Sequence, residues 1–177
     1  MRLHVTLALV STAIGLSSLW LSGAQAQDLG EWRLLTAEEE KARIGDSPSN
    51  SIDPAMIKAD FNGDGRIDTA LIAVRKSDQS RDLIVKMDDR IHVLVRSEVS
   101  GVSIGAEDGL GLAKPGHWDT ICGNAFRELQ GELCESEKYS KAVILRNPGL
   151  LRISSGEAVL YFWNGKKKAF ESLILRN

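Results

Sequence analysis

The segment that most constrains the fold is a run of regularly spaced oxygen-bearing side chains that leads directly into an apolar stretch. Asp60, Asn62, Asp64 and Asp68 occupy positions 1, 3, 5 and 9 of this run, and the segment 69–74 follows it. A hard cation such as Ca²⁺ selects oxygen ligands at this spacing. A nearly continuous apolar run of this length is typical of a strand that is covered on both faces. The sequence therefore predicts a calcium loop that opens a central β-strand.

Three further positions of the loop refine this prediction. Gly65 at position 6 permits the sharp turn that brings the ligands round one cation, and the backbone carbonyl of Arg66 at position 7 is a further predicted ligand. Position 12 is Leu71, where an EF-hand needs a bidentate Glu. Three carboxylates without that Glu indicate weak binding, with a Kd on the order of 10⁻⁴ to 10⁻³ M, and therefore a structural role for Ca²⁺.

The pattern D-x-N-x-D-G-x-x-D in residues 60–68 resembles the extracellular calcium loops of FG-GAP and VCBS repeats and, more distantly, the dockerin loop. The resemblance covers residues 57–74, and it implies that the four oxygen-bearing side chains ligate the metal. Because the chain has one copy of the pattern, a repeat propeller is not implied.

The alternative to a calcium loop is an Asp/Gly turn without a metal, whose side chains cap their own backbone. Mutual repulsion of three carboxylates on one turn favours the cation.

The first 26 residues have the features of an export signal. Arg2 forms a basic start, an apolar run extends from Val5 to about Leu21, and Ala24-Gln25-Ala26 is a small-residue cleavage site. An uncleaved membrane anchor is the alternative, but polar residues interrupt the run and no basic flank follows it. The sequence therefore predicts a signal peptide at 1–26, a periplasmic or secreted mature protein, and no membrane span after cleavage.

Residues 27–177 are predicted to form a single domain with enough chain for a sizeable core. The full chain has a formal net charge of −2, and loss of the one basic residue in the signal, Arg2, makes the mature charge −3. This near-neutral balance argues against a nucleic-acid partner or an anionic membrane surface. The oligomeric state is left open.

Cys122 and Cys134 are the two cysteines of the chain, and both lie in the predicted mature part. In an oxidising compartment such a pair usually forms a disulfide, which here would stabilise the fold by about 3 kcal/mol on the chain-entropy account. A redox or nucleophilic thiol is the alternative. It is disfavoured because the spacing is not C-x-x-C.

Local patterns predict one short helix followed by antiparallel strands. Thr36 and Glu39 form a capping box in front of a helix at 37–44. Apolar and alternating segments predict strands at 67–74, 83–87, 91–96, 142–145, 150–153, 158–163 and 169–175. Asn164-Gly165 is a strong hairpin signal between the last two strands. We predict a mainly β (α+β) fold, an antiparallel meander or sandwich-like sheet with a short N-terminal helix and one calcium loop. The patterns allow either two sheets or one curled sheet.

Aromatic and basic residues near the C-terminus are predicted to be structural. Phe162, Trp163 and Phe170 are expected to be core or cross-strand pairs and not a ligand platform. The run Lys166-Lys167-Lys168 is expected to keep an exposed edge soluble. His92 falls on the face opposite the apolar residues of its strand, which favours a surface or edge role over a metal or catalytic role.

The glycine-rich stretch 100–121 is predicted to be a long loop pinned by the disulfide, with Trp118 packed on a sheet. Glu107, His117 and Asp119 lie in it and define one candidate function, a small periplasmic hydrolase. No nucleophile accompanies them, and the glycines do not form a phosphate-binding motif. We therefore predict an exported, non-enzymatic calcium-binding protein that binds a protein or a glycan in the cell envelope.

Overall fold

A computed structural model describes residues 28–44, 55–97, 103–123, 134, 139–154 and 156–176. The predicted signal peptide at 1–26 lies outside the described residues. Within the described ranges the chain is mainly antiparallel β-structure with one short helix, which confirms the predicted fold class. No helix in these ranges is long and apolar enough to cross a membrane.

Eleven strands and one helix make up the described fold. In chain order they are β1 (Trp32–Arg33), α1 (Ala37–Ile44), β2 (Met56–Ala59), β3 (Asp68–Arg75), β4 (Arg81–Met87), β5 (Arg90–Val95), β6 (Gly109–Ala113), β7 (Gly116–Asp119), β8 (Ala142–Leu145), β9 (Gly149–Ile153), β10 (Ala158–Asn164) and β11 (Ala169–Arg176). The first sheet has the order β1-β3-β4-β5, and β2 also pairs with β3. The second sheet has the order β11-β10-β9-β6, and β7 and β8 form a separate ribbon.

Strand β3 is the central strand that the apolar run predicts. All eight of its residues are buried, and it pairs with β1, β2 and β4. Alternate side chains point to opposite faces of a strand. Ala70 and Ile72 therefore lie in the main core, whereas Leu71 and Ala73 pack with Trp32 on the other face of the first sheet. The main core also receives residues from the second sheet, so the two sheets share one interior. The residues that the second sheet contributes are Leu110, Leu150, Val159 and Tyr161.

Helix α1 occupies the predicted range, and its capping box is formed. The Thr36 amide donates to a Glu39 carboxylate oxygen at 2.8 Å, and the Glu39 amide donates to Thr36 Oγ1 at 3.2 Å. Hydrogen bonds from the Arg33 guanidinium and then from the Thr36 amide lower the pKa of Glu39 to about 2. The start of the helix is therefore determined by local hydrogen bonds, as the sequence indicates.

The prediction that 100–121 is a long loop is wrong, because the stretch contains β6 and β7. Strand β6 pairs with β9, and Gly111 lies opposite Leu151 in that register. A Cβ at Gly111 would lie 3.2 Å from Ile153 Cδ1 and 3.4 Å from Leu151 Cβ. The glycine therefore permits the close approach of neighbouring side chains within a strand. A prediction that treats glycine as typical of loops misses this role.

The β7–β8 ribbon covers the outer face of the second sheet. Trp118 packs against a buried cluster that includes Leu145, Leu160 and Leu175, so the predicted packing of this tryptophan on a sheet is confirmed. The predicted disulfide is also confirmed: Cys122 and Cys134 are bonded, with their Cα atoms 5.3 Å apart.

The predicted hairpin between β10 and β11 is present, and its connection is one residue shorter than the predicted strand bounds 158–163 and 169–175 leave. Asn164 lies opposite Ala169, which leaves four residues, 165–168, in the turn. The Asn164 side-chain oxygen accepts hydrogen bonds from the amides of Lys166 and Lys167 at 3.0 and 3.1 Å. The asparagine therefore ends β10 and caps the four-residue turn that follows it.

Candidate functional site

The predicted calcium loop is the tip of a β-hairpin. Strands β2 and β3 are antiparallel, with Ala59 opposite Asp68, and residues 60–67 connect them. Gly65 has a φ of +86°, a left-handed conformation that favours glycine. The sequence thus places its oxygen-bearing side chains on a single tight connection at one end of the buried strand.

The Asp60 carboxylate organises the backbone of this loop. Its Oδ1 accepts hydrogen bonds from the amides of Gly63 at 2.7 Å and Asp64 at 3.1 Å, and its Oδ2 accepts one from the Gly65 amide at 2.8 Å. Asn62 Oδ1 accepts a further bond from the Asp64 amide at 2.9 Å. The side chains at positions 1 and 3 therefore hold the loop in shape through its own amides.

Asp68 is the buried carboxylate of the loop, with 2% of its surface exposed. Its Oδ2 accepts a hydrogen bond from the Phe61 amide at 2.9 Å. Burial raises the pKa of Asp68, and the negative charges of Asp64 and Asp60 raise it further, whereas the bond from Phe61 acts in the opposite direction. The carboxylate is therefore electrostatically unfavourable when ionised, and a neighbouring positive charge would relieve this cost.

Arg66 places one positive charge at the outer side of the loop. Its Nη2 lies 3.1 Å from an Asp64 carboxylate oxygen and 2.6 Å from one of Asp88, and its side chain is 65% exposed. The pKa of Asp64 is lowered by hydrogen bonds from the Asn62 amide, the Arg66 backbone and the Arg66 guanidinium, in that order. The Arg66 guanidinium thus neutralises the exposed carboxylate of Asp64, whereas the carboxylate of Asp68 is buried.

The donor set of this loop fits a hard cation in its chemistry. Three carboxylates, one amide oxygen and one backbone carbonyl are the ligand types that Ca²⁺ prefers. In the described residues, however, no group of three or more His, Cys, Asp or Glu side chains has an arrangement that could hold a metal ion. The loop hydrogen bonds and the Arg66 ion pair engage the same oxygens that would be ligands.

Two cavities adjoin the loop, and both are lined by Asn62 and Trp163. The first has a volume of about 440 Å³ and extends along the β10–β11 turn and the segment that follows β8. The second also has a volume of about 440 Å³ and extends toward Asp88 and His92. We call the surface formed by these two neighbouring cavities, which share Asn62 and Trp163 in their linings, the Trp163 groove.

An aromatic cluster forms the base of this groove. Trp163 and Phe170 are cross-strand partners, as predicted, with ring centroids 5.3 Å apart. His92 packs edge-on against Trp163 at 5.3 Å and Phe170 at 5.8 Å, and burial together with the nearby Arg90 charge lowers the pKa of His92. Phe61, the second residue of the acidic loop, is 6.3 Å from Phe170. The loop and the groove therefore share one packed unit.

The residues of the candidate hydrolase do not come together in this way. His117 is on β7 with its side chain 63% exposed, and its Nδ1 lies 3.8 Å from Asp119 Oδ1, longer than a hydrogen bond. Glu107 is exposed. The neighbouring Asp108 is buried beside Arg152, whose Nη1 lies 3.6 Å from Asp108 Oδ1. The sequence pattern indicates the pair His117 and Asp119 but not the buried pair Asp108 and Arg152, because these two residues are far apart in the chain.

The groove was not predicted either, since its residues come from four separate segments. Besides Asn62 and Trp163 it is lined by basic side chains: Arg90, Arg146, Lys166 and Lys168. In the sequence the lysine run 166–168 favours a solubilising edge and does not indicate a groove. No protein-family model, no curated protein and no solved structure matches the chain.

Proposed function

We propose that this protein is an exported, non-enzymatic calcium-binding protein in which Ca²⁺ stabilises the loop 60–68 and the domain binds a protein or a glycan in the cell envelope. The observation that carries the proposal is the environment of Asp68. This carboxylate is buried on a hairpin tip where the charges of Asp60 and Asp64 already raise its pKa. A cation bound at the tip would offset both the repulsion and the cost of burial.

Each predicted ligand would have a defined task. Asp60 shapes the loop through three backbone amides, so that little ordering remains when a metal binds. Asp68 and Asn62 would add side-chain oxygen ligands, and the Arg66 carbonyl would add one from the backbone. Asp64 would exchange its ion pair with the Arg66 side chain for the metal, which is a reason to expect weak binding. When bound, Ca²⁺ supplies positive charge and no catalytic chemistry.

The candidate hydrolase has weaker support. It requires a nucleophile or an activated water beside His117, and this histidine lies on an exposed ribbon with Asp119 as its acidic neighbour. The pair resembles a surface ion pair more than a catalytic pair. The non-enzymatic function therefore remains our proposal.

Calcium is expected to raise the melting temperature of the metal-free mature protein. With a Kd near 10⁻⁴ M, 1 mM Ca²⁺ stabilises the folded state by about 1.4 kcal/mol, or about 3–6 °C in Tm for a domain of about 150 residues. Mg²⁺ should have a smaller effect, because it demands a tighter octahedral shell and retains its waters. Differential scanning calorimetry in Ca²⁺, Mg²⁺ and chelator measures this rise.

Three variants separate metal binding from loop folding. Asp60→Ala and Asp64→Ala should abolish the calcium-dependent rise, whereas Asp89→Ala, which removes an exposed acidic residue from the β4–β5 turn, should retain it. Asp60→Ala also removes three backbone hydrogen bonds, so the increment in Tm and not its absolute value is the readout. Equal melting of the wild type in Ca²⁺ and in chelator would show that the loop is an ordinary turn.

The mature protein is expected to begin at Gln27, because the segment 1–26 has the pattern of a cleaved export signal. Intact-mass measurement on protein recovered from the periplasm and from the medium of an expressing bacterium tests this. Replacement of Ala24 and Ala26 by bulky residues should block processing. Recovery of only cytoplasmic protein that retains residues 1–26 would overturn the proposed location.

A further inference from the structure

The Trp163 groove combines an aromatic platform with side-chain amides. Trp163 is half-buried and lines both cavities, so a ligand that extends from one cavity to the other must cross its ring. The amide-bearing residues in the first cavity are Asn62, Asn147 and Asn164. Within the described part of the chain, no hydrogen bond or ion pair engages the Asn147 amide, which leaves its donors and its acceptor available to a ligand.

The charged residues in the lining of this groove are predominantly basic. Arg146 and Lys166 line the first cavity, whose lining contains no acidic residue, and Arg90 and Lys168 line the second. Among the described residues none of these four side chains has an ion-pair partner. The one carboxylate in the lining, Asp88, is paired with Arg66 at 2.6 Å. The groove is therefore complementary to a ligand that carries negative charge.

We propose that the Trp163 groove binds an anionic oligosaccharide. The indole packs against the apolar face of one sugar ring, because an aromatic side chain offers a large flat surface at low entropic cost. The Asn147 amide donates to and accepts from ring hydroxyls, whereas the Asn164 side-chain oxygen is held by the Lys166 and Lys167 amides. The four basic side chains form charge-assisted hydrogen bonds with acidic groups of successive sugars on either side of Trp163. The inference rests on the proposed function, since it specifies the glycan as the ligand of the same domain.

The combination of groups distinguishes this ligand from an acidic peptide. Charge alone would suit both, but the Asn147 amide beside an indole matches a surface of hydroxyls and apolar ring faces. A peptide would be recognised mainly through its backbone at a sheet edge. An acidic peptide is therefore one arm of the test.

Isothermal titration calorimetry with a tetramer of galacturonic acid, in Ca²⁺ and at low ionic strength, tests the proposal. The wild type should bind, and the double variant R146Q/K166Q should bind at least about ten-fold more weakly because two charge-assisted contacts are lost. The matched control K114Q/K141Q removes the same charge from exposed lysines that do not line either cavity, and it should bind as the wild type does. Trp163→Phe should weaken binding while circular dichroism reports a folded domain.

The outcomes separate this inference from the proposed function. Weak binding of the methyl-esterified tetramer supports the anionic ligand, whereas equal binding of esterified and free tetramers overturns it. Equal affinity for an aspartate-rich peptide of the same charge also overturns it. No binding of the tetramer, with the calcium-dependent rise in Tm intact, rejects the inference alone. Tetramer binding without any calcium-dependent rise rejects the calcium role and leaves the groove assignment standing.

Discussion

Asp82→Ala is expected to lower the free energy of unfolding by about 3–5 kcal/mol, because it leaves a buried guanidinium without its main partner. Asp82 is fully buried and accepts hydrogen bonds from Arg75 Nε at 3.0 Å, Arg75 Nη2 at 2.8 Å, Trp32 Nε1 at 2.8 Å and the Ser97 amide at 2.9 Å. The substitution removes the acceptor of all four donors. Urea unfolding followed by circular dichroism measures the loss.

The pH dependence of the same variant provides a second readout. Burial acts to raise the pKa of Asp82, but the hydrogen bonds from Arg75, Trp32 and Ser97 outweigh it and the pKa is lowered. A folded-state pKa below the unfolded value of about 3.9 stabilises the protein above that pH, and the stabilisation is lost as the pH falls through the folded pKa. The stability of the wild type should therefore decline more steeply below about pH 4 than that of the variant.

Asp78→Asn is the matched control, since Asp78 pairs with the same Arg75 at 2.7 Å but is 38% exposed. An ion pair with a solvent-exposed carboxylate contributes about 0–1 kcal/mol, and asparagine retains the side-chain oxygen that accepts from Ser80. We expect a loss of less than about 1 kcal/mol. Equal losses in the two variants would contradict the central role of the buried carboxylate.

Phe61→Ala is expected to cost about 3–5 kcal/mol, the usual effect of truncating a fully buried aromatic side chain. Phe61 has no exposed surface and lies in the core between the two sheets, with its ring 6.3 Å from Phe170. The cavity left behind would also loosen the base of the acidic loop. Thermal and urea unfolding in chelator measure the effect on folding without a contribution from Ca²⁺.

Ile67→Ala in the same loop is the control for this prediction. Ile67 is also apolar and adjoins Asp68, but it is 70% exposed, so its truncation should change stability by no more than about 0.5 kcal/mol. Phe61→Leu should lose less than Phe61→Ala because it retains most of the buried surface. Similar losses for Phe61→Ala and Ile67→Ala would mean that the loop is not anchored by its phenylalanine.

Much of the fold could be predicted because its signals are local. The helix at 37–44 is determined by the Thr36 and Glu39 side chains, which cap the first turn from three residues apart. Strands β3, β4 and β5 follow the alternation and the apolar run of their own residues. The acidic loop likewise derives its shape from side chains that bond to amides within five positions.

The rest was decided by contacts between distant segments. Strand β6 is a strand because β9 pairs with it, and the side chains of Leu151 and Ile153 approach Gly111 closely, at 3.2–3.4 Å from where a Cβ would lie. Within its own sequence that glycine indicates a loop. The buried pair Arg152 and Asp108 likewise depends on packing of distant segments that removes it from water.

The sequence by itself determined the acidic loop at 60–68, the strand that follows it and the pairing of two cysteines. These features require only the identity and spacing of neighbouring residues or, for the cysteines, the chemistry of the pair. Only the tertiary structure placed Trp163 beside that loop and brought Arg90, Arg146 and Lys168 round it. The physical reason is that a groove is formed by surfaces of separate strands and turns, whose relative positions are set by how the sheets bury their apolar faces.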